Sequence, residues 1–423
     1  MIDIVLDEEL NSSPVHLKVM GIGGAGGNAV NGMIAAGDLQ EVQFVVSNTD
    51  SQALSISPAQ TKIQLGKKIT KGLGAGANPD IGRRAAEEDI EAITKHLKDT
   101  DIVFLTAGLG GGTGTGALPI IAKTAKDMGV LTVAVVTKPF LFEGKRRQKH
   151  TEEALANIKG AVDTLIVIPN QRLLELAEPK ISMLNAFTLS NDILKKAIKG
   201  ISDIILKTGH INVDFADIKT IMKDMGVAIM GTGIASGPDR AKIAAIQAMN
   251  SPLLENITIQ GARGVLINIT GSSNLELQEI NEAASLVYEM VSEDATIILG
   301  SVIDDTMGDS ISITLIATGL EQQFVQPKIV EKVVAATRPA PVVETIQEPA
   351  YVHVQQTPEP APQQVIAQPA MSQPVPSTSL ESDIDFDDLD TPTYLRKKSA
   401  SMQQSGQQEA KYKDQNSSQQ ASE

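Results

Sequence analysis

The chain has 423 residues, 42% of them hydrophobic, with a formal net charge of −15 and no cysteine. That length exceeds one average domain, and the charge argues against nucleic acid or an anionic membrane as a direct partner, since both would repel the average surface. Disulfides and thiolate metal sites are excluded, no apolar run reaches the roughly 20 residues needed to cross a bilayer, and the start MIDIVLDEELNSS lacks the basic opening and apolar core of a secretion signal, so a soluble cytoplasmic protein is expected.

Residues 1–14 read as a flexible arm. From 15 to 185, short runs rich in β-branched residues (HLKVMGIG, EVQFVVSNTD, TKIQLG, DIVFLTAG, VLTVAVVTKP and TLIVIPN) alternate with helical stretches such as PDIGRRAAEEDIEAITKHL and ALPIIAKTAKDMG. This is the pattern of an α/β fold with a doubly wound parallel sheet. Two glycine loops punctuate it. GIGGAG at 21–26 matches GxGxxG after a strand and before a helix, which on its own would also suit a hydride-transferring dehydrogenase. GGGTGTG at 110–116 follows a later strand of the same sheet. Parallel strands end at one edge, so the loops and the helix N-termini behind them can converge on one phosphate-bearing ligand. The other reading, that the glycines serve only tight turns and close helix packing, stays open, above all for the first loop.

No GxxxxGK[ST] occurs, so no P-loop lysine holds the phosphates; a magnesium ion held through its own waters would offset their charge. Between the loops, KGLGAGANPDIGRR at 71–84 marks a helix start at Asn78-Pro79-Asp80. It is either an ordinary connection or a sensor of a terminal phosphate.

Residues 186–210 read as a central helix, with Leu194, Ile198, Ile201 and Ile205 on a single apolar stripe. Residues 211–320 read as a smaller α+β unit with a mixed sheet, its strands GVLINITG, ATIILGSVID and ISITLIATG separated by LELQEINEAASLVYEMV and a turn. In INVDFAD, Asp214 and Asp217 stand three apart at a helix start and can project toward one spot. Helix capping is the simpler reading of that pair. Residues 321–383, rich in Pro, Gln, Val and Ala, read as a disordered linker, and 399–423 as a disordered Gln/Ser-rich extension.

GGGTGTG, with GIGGAGGN before it, resembles the signature of the tubulin/FtsZ superfamily. NTDSQAL, KGLGAGANPDIGRRAAEED, VAVVTKPFLFEGKRR, INVDFADIKTIM and SPLLENITIQGARGVLINITG are similar to its bacterial cell-division GTPases, over about residues 15–320. The resemblance implies a GTP-binding domain at 15–185, the central helix, and an activation domain at 211–320. It implies that GTP or GDP touches Gly24, Ala25, Gly26, Gly27, Asn28, Asn48, Asp50, Ala75, Gly76, Ala77, Gly111, Gly112, Thr113, Gly114, Thr115, Glu143, Arg147, Asn170, Phe187 and Asp192. The glycine loops would take the phosphates, Glu143 and Arg147 would lie around ribose and phosphates, and Phe187 would stack beside the base. With Asp192 and Asn170 so placed, guanine is favoured, because a carboxylate accepts from both its N1–H and its 2-amino group. On residue type alone Asp192 is equally a carboxylate stabilised at a helix N-terminus.

The resemblance further implies that Asn212, Asp214 and Asp217 are catalytic, in a loop of one subunit that enters the pocket of the next and orients a water for attack on the γ-phosphate. No protein ligand to a metal is expected; Mg2+ would bind through phosphates and water. A head-to-tail contact that does not close gives an open filament, the scaffold of a division ring at mid-cell beneath the inner membrane. Residues 384–398, IDFDDLDTPTYLRKK, resemble the peptide by which this family docks on membrane-tethering partners such as FtsA or ZipA and on assembly regulators, without membrane insertion. A non-hydrolysing assembly protein of the same superfamily is the rival reading, and the presence of both Asp214 and Asp217 argues against it.

Overall fold

The structure, a computed structural model, describes residues 15–37, 39, 41–176, 181–207, 211, 213–254 and 259–320. The N-terminal arm, Asn212, the end of the predicted central helix at 208–210, and the predicted linker, docking peptide and extension lie outside the described residues.

The first half of the chain runs β1 (Leu17–Ile22), α1 (Gly23–Ala36), β2 (Gln43–Asn48), α2 (Ser51–Ser55), β3 (Thr61–Gln64), α3 (Lys67–Thr70), α4 (Pro79–Glu88) and α5 (Ile90–Leu97). It continues through β4 (Ile102–Gly108), α6 (Thr113–Asp127), β5 (Leu131–Lys138), α7 (Lys145–Ala161), β6 (Thr164–Pro169) and α8 (Asn170–Leu176). After α9 (Met183–Leu206) come α10 (Phe215–Met222), β7 (Gly226–Ser236), α11 (Arg240–Met249), β8 (Gly264–Gly271), α12 (Leu277–Tyr288), β9 (Thr296–Ile303) and β10 (Ser310–Thr318).

The strands form one ten-stranded order, β3-β2-β1-β4-β5-β6-β7-β10-β8-β9. From β3 to β6 every pairing is parallel, and the order reverses direction between β1 and β4. In such a sheet the crevice outside the carboxyl ends of the strands at that switch point is where ligands bind. β7 pairs in parallel with β6 over Thr164–Ile166 and then antiparallel with β10, which joins the mixed half to the parallel half.

β4 is buried on both faces, which explains its unbroken apolar sequence. Val103, Leu105 and Ala107 pack with α4 to α7, while Ile102 and Phe104 pack with α1 and α9. Helix α9 follows Ser182, whose hydroxyl caps the Asn185 N–H; it begins three residues before the 186–210 stretch read from sequence and runs to Leu206. Leu194, Ile198 and Ile201 of its stripe are buried, each burial being worth about 1.5–3 kcal/mol, whereas Ile205 is half-buried.

Two expectations needed adjustment. The single helix read in PDIGRRAAEEDIEAITKHL breaks at Asp89, because Asp89 accepts the Gly66 N–H at 2.6 Å and Glu88 accepts the N–H groups of Lys68 and Ile69, so both carboxylates serve the start of α3. Strand β7 and helix α11 were not read at all. A Cβ at Gly231 or Gly233 would lie 2.0 Å from the carbonyl oxygens of Ala248 and Ala244, so these glycines let α11 press onto β7.

Candidate functional site

Helices α1 and α6 begin where β1 and β4 end, and no described side chain caps either start. Their first-turn N–H groups therefore face the switch-point crevice without intrahelical partners. The two loops touch: Gly23 has φ +73°, and a Cβ there would lie 2.8 Å from the Gly114 nitrogen and 3.3 Å from the Thr113 Cβ. Both readings of the glycines hold, at different positions. At Gly26 a Cβ would sit 2.2 Å from the Thr106 carbonyl oxygen, and at Gly112 and Gly114 it would press on Ala75 and on Gly108, so these three are packing positions. At Gly24, Gly27 and Gly111 nothing described lies within 4 Å, leaving bare backbone open to a ligand, with exposed Ala25 and Asn28 beside it.

The hydroxyls divide likewise. Thr113 is buried at the α6 start and its Oγ1 lies 2.7 Å from the Oγ1 of Thr49, tying the second loop to the end of β2. Thr115, two residues on, turns away: its buried hydroxyl has no partner among the described residues, and it lines a groove of about 440 Å3 with Pro79, Arg83, Ile120 and His150 between α4, α6 and α7.

The loop between the glycine loops joins the same edge. Asn78 accepts the Asp80 N–H at 3.0 Å with Pro79 in the first turn, which is the predicted start of α4. Buried Ala75 lies against Gly112, while Gly76 and Ala77 are exposed at φ +57° and +56°. A left-handed alanine costs about 1–2 kcal/mol, and such strain clusters at ligand clamps.

At the end of β2, buried Asn48 accepts the Asp50 N–H at 3.3 Å, and Asp50 caps α2 through Gln52 and Ala53. At the end of β5, Glu143 accepts the Phe140 N–H at 2.9 Å and pairs with Arg147, whose side chain is half exposed. Buried Asn170, just past β6, accepts the Ser190 hydroxyl at 2.8 Å, which draws α9 to this edge. On α9, Phe187 meets Phe140 and Phe142 edge-on, with centroids 5.4 and 6.3 Å apart, and Phe142 stays 60% exposed. A flat ring could lie against that aromatic corner. Asp192 is exposed and is the tenth residue of α9, beyond the first turn where the helix dipole acts; dipole stabilisation does not explain it.

The acidic pair is elsewhere. Asp214 caps α10 by accepting the Asp217 N–H at 2.8 Å, so the capping reading holds for Asp214, while the exposed Asp217 carboxylate has no hydrogen-bond or ion-pair partner among the described residues. The far end of α10 is fixed at the opposite edge of the sheet, where the Met222 carbonyl accepts the hydroxyl of Thr164, the first residue of β6. From Phe187 to the end of α9 is about 28 Å of helix. One molecule thus holds its glycine loops and its acidic pair at opposite edges.

Sequence reading missed Thr49, Phe142 and Ser190. Thr49 was inside a recognised segment, but its role appears only through contact with Thr113. Ser190 carries no local signal, because its partner Asn170 is 20 residues away.

Residues 16–178 match the model of the tubulin/FtsZ family GTPase domain, and 226–321 match that of the FtsZ family C-terminal domain. The chain is 46% identical over 382 residues to the cell division protein FtsZ of Pseudomonas aeruginosa, covering 90% of this chain and 96% of that one. It is 52% identical over 312 residues to the cell division protein FtsZ of Coxiella burnetii, covering 74% and 81%. An FtsZ dimer of M. jannaschii superposes with a TM-score of 0.71 at 43% identity, covering 74% of this chain and 90% of that chain. CetZ2 of Haloferax volcanii, at 19% identity and a TM-score of 0.63, shares the fold over 73% of this chain and 94% of its own.

Proposed function

The chain belongs to the FtsZ family of tubulin-like, GTP-binding cell-division GTPases, and from that premise we propose that it hydrolyses GTP where two copies meet head to tail, the glycine-loop edge of one against the acidic edge of the next. The observation that carries this reading is the separation of Asp214 and Asp217 from the glycine loops within one molecule. An active site needs both parts within hydrogen-bond reach of one phosphate. A second copy supplies the missing part.

In this reading the backbone N–H groups of Gly24 to Asn28 and Gly111 to Gly114 take the phosphates, with Asn48, Asp50 and Ala75 to Ala77 along the rim. The base rests against Phe187 and Phe142, Asp192 and Asn170 select guanine, and Glu143 and Arg147 flank the ribose. Phosphoryl transfer needs mainly positioning and charge stabilisation. Asp217, whose carboxylate is uncommitted among the described residues, orients the attacking water; Asp214, half committed to its cap, supports it, with Asn212 beside them in sequence.

Magnesium fits as an ion held by phosphate oxygens and water. Neither glycine loop carries a carboxylate, and among the described residues no cluster of three or more His, Asp or Glu side chains could hold a metal. When bound with GTP it offsets phosphate charge. The contacting patches differ, so the contact is head to tail; with a rotation that does not close, copies add into an open filament, the scaffold of the division ring at mid-cell. No described helix is long and apolar enough to cross a membrane, so we assign attachment to residues 384–398 and a tethering partner of the FtsA or ZipA kind.

Mixing two variants tests the composite site. Asp217→Ala keeps a whole pocket and Asp192→Ala keeps a whole acidic edge. Each alone should release little phosphate from GTP, and the mixture should recover turnover. If the mixture stays inactive, or if dilute monomer turns over GTP as fast per molecule as concentrated protein, the reading fails.

A further inference from the structure

Helix α6 begins in the phosphate loop at Thr113, and in its last turn Lys126 reaches across to the other half of the fold. Its Nζ donates to the Val162 carbonyl at 3.0 Å and to Asp224 Oδ1 at 2.6 Å, and stands 3.4 Å from Asp163 Oδ1. Asp163 is a buried node: its other carboxylate oxygen accepts the Thr132 N–H at 2.8 Å, and its backbone carbonyl accepts the Gly226 N–H that opens β7. Asp224 lies two residues beyond the end of α10, in a turn at φ +56°. The same end of α10 is held by hydroxyls, Thr318 donating to the Ile221 carbonyl at 2.7 Å and Thr164 to that of Met222. Burial opposes the charge on Lys126, but the hydrogen bond to Asp224 and the field of Asp163 outweigh it and hold the ammonium above its ordinary range.

We propose that Lys126, acting through Asp224, is a positioning residue for hydrolysis. It clasps the C-terminal end of α10 to the helix whose first turn is the phosphate loop, and so sets the angle at which Asp214 and Asp217 are offered to the neighbouring copy. This rests on the reading of Asp214 and Asp217 as the acidic half of a composite site. The geometry gives the clasp leverage. Helix α10 has eight residues, about 12 Å, so a tilt of about 5° at its anchored end moves its first turn by about 1 Å. A displacement of that size can cost as much as about 100-fold in rate. Stability is a poor explanation for the Lys126–Asp224 contact, because Asp224 is 61% exposed and exposed ion pairs contribute little.

Asp224→Asn separates positioning from folding, since asparagine tolerates the left-handed turn and leaves the Lys126–Asp163 pair in place. Phosphate release is measured per sedimented subunit, together with GTP affinity by titration and Tm. Asp224→Asn should lower turnover per polymerised subunit by about 5- to 10-fold, with GTP affinity and Tm unchanged. Lys126→Arg should keep most of the turnover. Lys126→Met, which also takes the cation from buried Asp163, should lose at least as much as Asp224→Asn, and the double variant should lose no more than Lys126→Met, because the Asp224 contact is already gone without Lys126. Turnover of Asp224→Asn within twofold of the unaltered protein overturns the clasp, whatever the amount of polymer. Asp217→Ala in the same assay tells the two failures apart: if it keeps turnover, the composite site is wrong, and if it is dead while Asp224→Asn is unaffected, only the clasp is wrong.

Discussion

The two edges of the sheet are built differently. At the carboxyl ends of the strands, glycines at the limit of close approach, a buried pair of threonine hydroxyls and strained Ala77 fix the backbone before any ligand arrives. At the other edge, Asp214 and Asp217 stand in water on the first turn of a short helix. If the site is shared between copies as proposed, the contrast teaches that its halves need different things. A phosphate cradle built from backbone must be preorganised, whereas carboxylates that serve a neighbour need only be held at the right angle until the partner surrounds them.

If this contrast is right, substitutions at the glycine edge should sort by packing, with the largest effects of all. In Gly26→Ala the new Cβ would meet the Thr106 carbonyl at 2.2 Å, in the middle of the sheet. Loss of GTP binding and a fall in stability above about 4 kcal/mol are expected. Gly24→Ala, two residues earlier with open space around it, should leave Tm within about 2 °C, since it meets no described atom. Thermal melts of the two proteins side by side check this; equal Tm values would mean that the first loop is not a close-packed joint.

The acidic edge should show the reverse, a large loss of rate without a loss of fold. Asp217→Ala is expected to cut turnover by about 100-fold or more, the scale of a lost general base, while GTP affinity and Tm stay put. Asp214→Ala should add a stability cost of about 1 kcal/mol, because among the described residues it alone caps the start of α10. Were Asp217→Ala to melt early as well, the residue would be a structural support and the contrast between the edges would disappear.

What was legible in the sequence follows the same division. Parallel strands buried on both faces announce themselves as apolar runs, and β1, β2, β4, β5 and β6 were read where they lie. Strand β7 was hidden, since Gly226, Gly231 and Gly233 look like turn residues; Gly231 and Gly233 are needed by α11, and Gly226 opens the strand at φ +71°. The glycine loops were legible as a ligand site, but not which glycine packs and which opens, because that depends on Thr106, Ala75 and other distant neighbours. The acidic pair was legible from its spacing chiefly as a cap; the catalytic role proposed for it came through family resemblance, and among the described residues the Asp217 carboxylate has no partner. Lys126 gave no signal at all, its partner lying 98 residues away.

The smallest effect tests the joint between the loops. Thr113 and Thr49 share one hydrogen bond at 2.7 Å in a buried setting, so Thr113→Ala strands the Thr49 hydroxyl, at a cost of about 1–3 kcal/mol. If part of that cost falls on the loop rather than on the whole fold, GTP affinity should weaken by about fivefold, since about 1 kcal/mol corresponds to that ratio. Thr49→Ala should weaken it equally although Thr49 was assigned no contact with nucleotide, and Thr113→Ser, which keeps the hydroxyl, should restore most of it. Titration of GTP onto the three variants decides the case. Weakening by Thr113→Ala with no effect of Thr49→Ala would mean that the Thr113 hydroxyl acts on phosphate directly, and that the second loop keeps its shape without being tied to β2.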